Sequence, residues 1–303
     1  MSRTSSQLTI GNKKLSVSNL DKVLYPQAGF TKGQMIDYYI HVSEVLLPHL
    51  KDRPLTLKRY PNGVEQPFFY EKESPAHRPD WVKTGKVWSE SNEKHIHYTL
   101  VNDLATLVWV ANLASIELHI TMGRWRTMDG PTAVVFDLDP GAPASVVECC
   151  RVALLLRKIL EELKLNCYAK TSGSKGLQIY VPLNRKSVSE KVRAFALAIA
   201  KQLQEAMPKE VVTDMKRSIR KGKVLVDWSQ NSPSKTTVAV YSLRAKEQPT
   251  VSMPVTWDEV AACARKKNLR LLVFEYTTAL KRIERHGDLF LPVLQEKQRL
   301  PKL

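Results

Sequence analysis

Apolar positions along the chain follow two periods that alternate several times. Met35, Tyr38, Tyr39, Val42, Val45 and Leu46 recur at helical spacing behind a capping Thr31, which predicts a helix to about Leu47. Helical spacing also predicts a short helix over 103–112, long ones over 144–163 and 188–207, and further turns at 257–265 and 276–285. A small helix capped at Ser18-Asn19 is expected through Leu24, ahead of Pro26. Short runs rich in β-branched and aromatic residues predict strands at 55–60, 67–71, 96–100, 115–120, 133–138, 166–171, 177–181, 223–228 and 237–241. Pro61-Asn62-Gly63 reads as a turn, and a tight Ser-Gly-Ser-Lys-Gly turn over 172–176 separates two of the strands. This order is not a regular βαβ alternation. It predicts an α+β fold, a core of mixed, largely antiparallel sheets flanked by helices. A single domain over 1–303 is expected, with a soft subdivision into 1–125 and 126–303.

Charge narrows the field of partners. Of 303 residues, 46 are Lys or Arg against 30 Asp or Glu, a formal net charge of +16. The excess favours a polyanionic partner without separating nucleic acid from an acidic membrane surface. The basic residues recur along the whole chain, as on the charged face of a folded body. No apolar run approaches the ~18 residues that a membrane span needs. The polar N-terminus lacks a signal-peptide core, so a cytoplasmic location is expected. The four cysteines form no CxxC pair, which suggests buried thiols and neither a zinc site nor a disulfide framework.

Three segments carry candidate chemistry. In Val134-Val135-Phe136-Asp137-Leu138-Asp139-Pro140 an apolar strand ends in two carboxylates one residue apart, on one face of the strand. Such a pair repels itself, and a divalent cation with oxygen ligands relieves the cost. The same pair also fits a solvated strand-end turn closed by Pro140. Val224-Leu225-Val226-Asp227-Trp228 delivers a third carboxylate from another apolar strand. Three acids at the ends of two strands suit a two-metal phosphoryl-transfer site. The glycines of Lys170-Thr171-Ser172-Gly173-Ser174-Lys175-Gly176 let backbone N–H groups turn toward an anion, with Ser172 and Lys175 adding a hydroxyl and a cation. A plain hairpin turn reads as well. The segment is not a Walker A loop, since the GxxxxGK spacing is absent and a strand follows.

Together with Ser18–Pro26, Lys58-Arg59-Tyr60-Pro61-Asn62-Gly63-Val64, Glu117-Leu118-His119 and Val226-Asp227-Trp228-Ser229-Gln230-Asn231, these segments resemble the polymerase domain of the bacterial end-joining ligase D and the freestanding prokaryotic end-joining primase-polymerases, of the archaeo-eukaryotic primase superfamily. The resemblance covers nearly the whole chain. It implies a DNA-dependent nucleotidyltransferase that fills gaps and extends ends in non-homologous end joining, using nucleoside triphosphates and two Mg2+ or Mn2+ ions. It implies metal binding by Asp137, Asp139 and Asp227, and triphosphate binding by His119, Ser172, Lys175 and Arg220, with Lys58 and Arg244 as further candidates. Asn19, Lys22 and Lys32 match a pocket for the 5′-phosphate of gapped or broken DNA. Phe68 and Phe69, beside Tyr70, match aromatics that stack on the incoming base, although alternating burial is expected to draw at least one of the three into the core. Ku and a DNA ligase are the implied partners, ribonucleotides and manganese the implied preferences, and the nucleoid the implied location. One departure stands out: Gln178 occupies a place where many of the superfamily carry His, and Gln cannot be cationic. Two alternatives remain open, a metal-dependent nuclease or phosphatase using the same acids, and a non-catalytic DNA-end binder.

Overall fold

A computed structural model describes residues 5–301. Two sheets dominate it, and their strands are numbered here in chain order. Helix α1 (Lys32–His41) opens with a capping box in which Thr31 and Gln34 exchange side-chain and backbone bonds. At Val42 it breaks, resuming as α2 (Ser43–Leu50), so the single helix expected to about Leu47 is two. There follow β1 (Leu55–Arg59), β2 (Phe69–Glu71), α3 (Leu104–Asn112, capped by Asp103) and β3 (Ser115–Thr121). Next come β4 (Ala133–Pro140), α4 (Val146–Glu162), β5 (Tyr168–Thr171), β6 (Leu177–Pro182) and α5 (Ser189–Ala206). The chain continues through β7 (Val211–Val212), β8 (Val224–Asp227), β9 (Thr236–Val238), β10 (Pro254–Val255), α6 (Trp257–Lys266), α7 (Tyr276–His286) and α8 (Pro292–Gln295). Hairpins over 5–18 and 84–99 and short strand pairs complete the chain.

One sheet runs β7-β8-β4-β6-β5-β10, antiparallel except for the β7–β8 pair; the other, β9-β3-β1-β2, is antiparallel throughout. The fold is therefore the α+β arrangement of largely antiparallel sheets that the pattern predicts. Strand alternation divides the work of the six-stranded sheet. Val134, Phe136 and Leu138 pack under α4 and α5, against Cys150, Leu156, Phe195 and Ile199. Val135 and Tyr180 face the opposite way, into a core built with the four-stranded sheet and α1–α3. That core draws on Leu15 to Met122 and again on Ala239 to Val293. All four cysteines are buried and unbridged. Among the described residues, no helix is long and apolar enough to cross a membrane.

The small helix expected from Ser18 to Leu24 does not form. Asn19 adopts a left-handed φ of 54°, which Asn tolerates better than most residues. The Leu20 and Lys22 carbonyls instead accept the Gly33 and Lys32 N–H groups at 2.8 Å each. These are free donors of the first turn of α1, and satisfying them holds the segment as a turn. Val23–Tyr25 then pairs with Phe30–Thr31.

Candidate active site

In the antiparallel pair β4–β8, Asp137 lies directly opposite Asp227; in β4–β6 it lies opposite Gln178, which in turn faces Lys170. Paired residues share a face of the sheet. Asp227, Asp137, Gln178 and Lys170 therefore form one row across four strands, with Asp139 two residues further along β4. Asp137 and Asp139 line a cavity of about 250 Å3 between the two sheets, where His119, Ser172, Lys175 and Arg244 join them.

The two acids are poorly compensated. Burial, then the Asp139 charge, pushes the Asp137 carboxyl up to about 7, and its Oδ1 is buried with no hydrogen-bond partner. Asp139 is raised as well, by burial and by Asp227, against the pull of Arg220 and Arg244. Asp227 stands in register but has turned its oxygens into its own turn. Oδ1 accepts from the Ser229 N–H at 2.9 Å and from the Ser229 hydroxyl, and Oδ2 accepts from Gln230 Nε2 at 2.9 Å. Among the described residues no three acidic, histidine or cysteine side chains are gathered tightly enough to cage an ion on their own. An orphaned buried carboxylate oxygen, held beside a second acid, nonetheless fits a hard divalent cation by the chemistry of its donors. At the end of the row, Lys170 is 1% exposed, and burial draws its ammonium down to about 7. It donates to the Val238 carbonyl at 3.0 Å and to Ser252 Oγ at 2.7 Å.

The loop after β5 curls around Ser172, whose Oγ accepts from the N–H groups of Ser174 (3.3 Å) and Gly176 (3.0 Å). Those two donors point inward, so the expectation that the glycines free them for an anion fails at these positions. The glycines serve close packing. Gly173 has φ +66°, and a Cβ there would meet Ser252 N and Arg244 Cγ at 2.7 Å; at Gly176 it would stand 2.2 Å from the Leu138 carbonyl oxygen. Thr250 Oγ1 and the Arg244 guanidinium tie the loop down through the Gly173 and Ser172 carbonyls.

Opposite the acids, β1 and β3 present a second row. Lys58 pairs with Glu117 on one side and Tyr70 on the other, and His119 lies two residues beyond Glu117. Glu117 is 1% exposed. Burial alone would raise its carboxyl, yet His119 and Arg244 hold it far below the usual range. His119 is itself lowered by burial, against the opposing pull of Glu117. Lys58 does not line the cavity. Its ammonium lies 3.4 Å from Glu117 and 4.2, 5.2 and 5.8 Å from the ring centroids of Phe68, Tyr60 and Tyr70. Arg220 also stays off the lining, donating instead to the Met215 carbonyl.

The residues and their order have counterparts elsewhere. A sequence profile described as LigD, primase-polymerase domain, matches residues 31–290. The chain belongs to the LigD primase-polymerase domain family. It is 42% identical over 285 residues to the multifunctional non-homologous end joining protein LigD of Mycolicibacterium smegmatis, covering 93% of this chain and 36% of that protein. Against the bifunctional LigD of Bacillus subtilis the identity is 31% over 289 residues, covering 95% and 45%. The chain thus spans less than half the length of these curated relatives. The polymerase domain of Mycobacterium tuberculosis ligase D, solved in complex with DNA, matches with a TM-score of 0.86 at 38% identity, covering 94% of this chain and 99% of that one.

In this LigD-type domain the aromatic strip departs from expectation. Phe68, Phe69 and Tyr70 are all exposed, at 48, 43 and 58%, and none enters the core. β2 is an edge strand, and the side chains that lie against the aromatic strip are cations. Phe68 and Tyr70 flank Lys58, while Phe69 lies 5.1 Å from the Arg59 guanidinium. Asn19, Lys22 and Lys32 meet in a separate pocket of about 460 Å3, joined by Arg59, Asn62 and His77. Neither lysine is fully exposed. Lys32 is nearly buried at the start of α1, donating to the Ser18 carbonyl at 2.7 Å; burial, then Lys22 and Arg59, lowers it to about 8. Lys22 sits on the turn and donates to Asn62 Oδ1 at 2.9 Å. The sequence reading gave no role to Arg59, His77, Glu117 or Lys170. For Arg59 a signal was present: successive strand residues point to opposite faces, so Lys58 and Arg59 serve different sites.

Proposed function

We propose that this domain catalyses DNA-directed nucleotidyl transfer, filling gaps and extending broken ends in non-homologous end joining. One observation carries the reading: Asp137 stands in register with Asp227 and lines a cavity together with Asp139, His119, Lys175 and Arg244. In the reaction a primer 3′-hydroxyl attacks the α-phosphate of a nucleoside triphosphate and pyrophosphate leaves. Asp137 and Asp139, joined by Asp227 once its oxygens leave Ser229 and Gln230, would hold magnesium or manganese ions, which would supply charge neutralisation at the reacting oxygens.

The protein's own part is positioning. His119, Lys175 and Arg244 receive the triphosphate, Ser172 shapes the loop that carries Lys175, and Arg220 sets the field at Asp139. Phe68 and Phe69 offer exposed ring faces to the base. Lys58 braces that strip through its contacts with Phe68 and Tyr70. Asn19, Lys22 and Lys32 hold the 5′-phosphate of the downstream strand. Ku and a DNA ligase are the partners this activity implies, and the nucleoid its place of action.

Labelled primer–template DNA with a 5′-phosphorylated gap, manganese and nucleoside triphosphates provides the test. Stepwise extension is expected. Shortening of the primer would move the same acids to the nuclease class, and an unchanged primer would leave a non-catalytic end binder.

A further inference from the structure

A buried carboxylate just behind the cations of the cavity calls for a physical reason. Glu117 lowers the positive charge facing the triphosphate, so on simple electrostatics it weakens nucleotide binding. Its geometry supplies a compensating role. Glu117 Oε1 accepts from the Ala245 N–H at 3.1 Å and from Lys58 Nζ at 3.4 Å. Oε2 accepts from His119 Nε2 at 2.9 Å and faces Arg244 Nε at 3.2 Å. Both oxygens are engaged, and the carboxylate has no face left for substrate.

We propose that Glu117 is the positioning residue of the nucleotide site, one carboxylate that aligns the triphosphate cations and the base-stacking strip together. His119 and Arg244 belong to the phosphate side. Lys58, on the other oxygen, is packed against Tyr60, Phe68 and Tyr70 and belongs to the base side. A carboxylate only accepts hydrogen bonds, so His119 must carry a proton on Nε2; its Nδ1 becomes a donor to the phosphates only when the ring takes up a second proton, which a bound polyanion favours. Arg244 is drawn to Glu117 as an ion pair, its Nε 3.2 Å away without a hydrogen bond, and the outer end of its guanidinium donates to the Ser172 carbonyl and reaches the cavity. Glu117 itself comes from the middle of β3, paired to β1, and is 1% exposed. The anchor is thus more rigid than the long side chains that it orders. The proposal rests on the cavity being the nucleotide site.

The test is Glu117→Gln in the full chain, with wild type assayed in parallel. Gln keeps the shape but offers one N–H pair to groups that are themselves donors. Nucleotide KM is expected to rise about 10-fold or more, with a smaller change in kcat, while affinity for 5′-phosphorylated gapped DNA stays unchanged. An unchanged or lower KM in a folded variant would overturn the proposal, since a purely electrostatic Glu117 tightens nucleotide binding when it is neutralised. If the variant does not fold, 15N NMR of wild-type His119 decides: the Nε2–H tautomer supports the role, and the Nδ1–H tautomer removes it. A wild type that extends no primer would sink the polymerase reading instead, and leave the tautomer as a separate result.

Discussion

The cavity between the sheets and the pocket beside α1 both collect cations, but they are built on opposite principles. Around the cavity, buried charges of both signs stand together: Asp137 and Asp139 with Lys170 behind, Glu117 with His119 and Arg244 opposite. The pocket holds Lys22, Lys32, Arg59 and His77 with Asn19 and Asn62, and no acid lines it. Lys32 is desolvated there next to two other cations. On the proposed reading a single anion would complete the pocket, where Arg59 already has Glu71 as its partner, whereas the cavity would take cations for its acids and anions for its bases. The contrast would then separate a site that recognises from one that reacts.

The largest effect that would break this contrast is at Asp137. Asp137→Ala is expected to lower primer extension by at least about 1000-fold while leaving DNA-end binding intact, because a metal site is worth several kcal/mol at the transition state. Retained extension would remove the metal assignment. Next in size, Lys32→Ala is expected to cost about 10-fold or more of the preference for 5′-phosphorylated over unphosphorylated gaps in an anisotropy titration, the worth of a charge-assisted bond. Extension of an ungapped primer should be unaffected.

A third measurement sharpens the contrast through pH. Burial and the neighbouring Asp139 push the Asp137 carboxyl up to about 7, above its ordinary value of 3.8. Between those values the folded state holds the proton that the unfolded state has released, so the metal-free protein loses stability as pH rises through this window. Manganese replaces the proton. It is therefore expected to raise Tm by a few °C more at pH 8 than at pH 5.5; an equal shift at both would contradict the burial argument. The smallest effect belongs to Lys22→Ala, about 2- to 5-fold in 5′-phosphate preference, since its ammonium sits on an open turn. A loss larger than that of Lys32→Ala would reverse the order of the two lysines.

Much of the fold was legible because the long elements carry unbroken periods. Strand β4 and its two acids, helices α4 and α5, and the loop between β5 and β6 all lie where the pattern puts them. What escaped depends on contacts distant in sequence. The segment at Asn19 resembles a helix start until the first turn of α1 claims its carbonyls. Phe68–Tyr70 has the composition of a half-buried strand, yet at the sheet edge the partners of its rings are Lys58 and Arg59. Glu117 shows a buried acid's worth only once Lys58, Arg244 and Ala245 arrive from other elements to join His119 of its own strand. Gln178 lies buried between Asp137 and Lys170, in a row that already holds a cation, which accounts for a neutral residue there.

Gly176 has a consequence for substrate length. With no room for one carbon atom between it and the Leu138 carbonyl, the loop bearing Lys175 and the strand bearing Asp137 and Asp139 share a fixed spacing. On the proposed reading that spacing would act as a gauge between the far end of a phosphate chain and its reacting end. Nucleoside diphosphates, one unit too short, are accordingly expected to compete weakly against triphosphates in extension assays. Equal competition would mean that the gauge is not read.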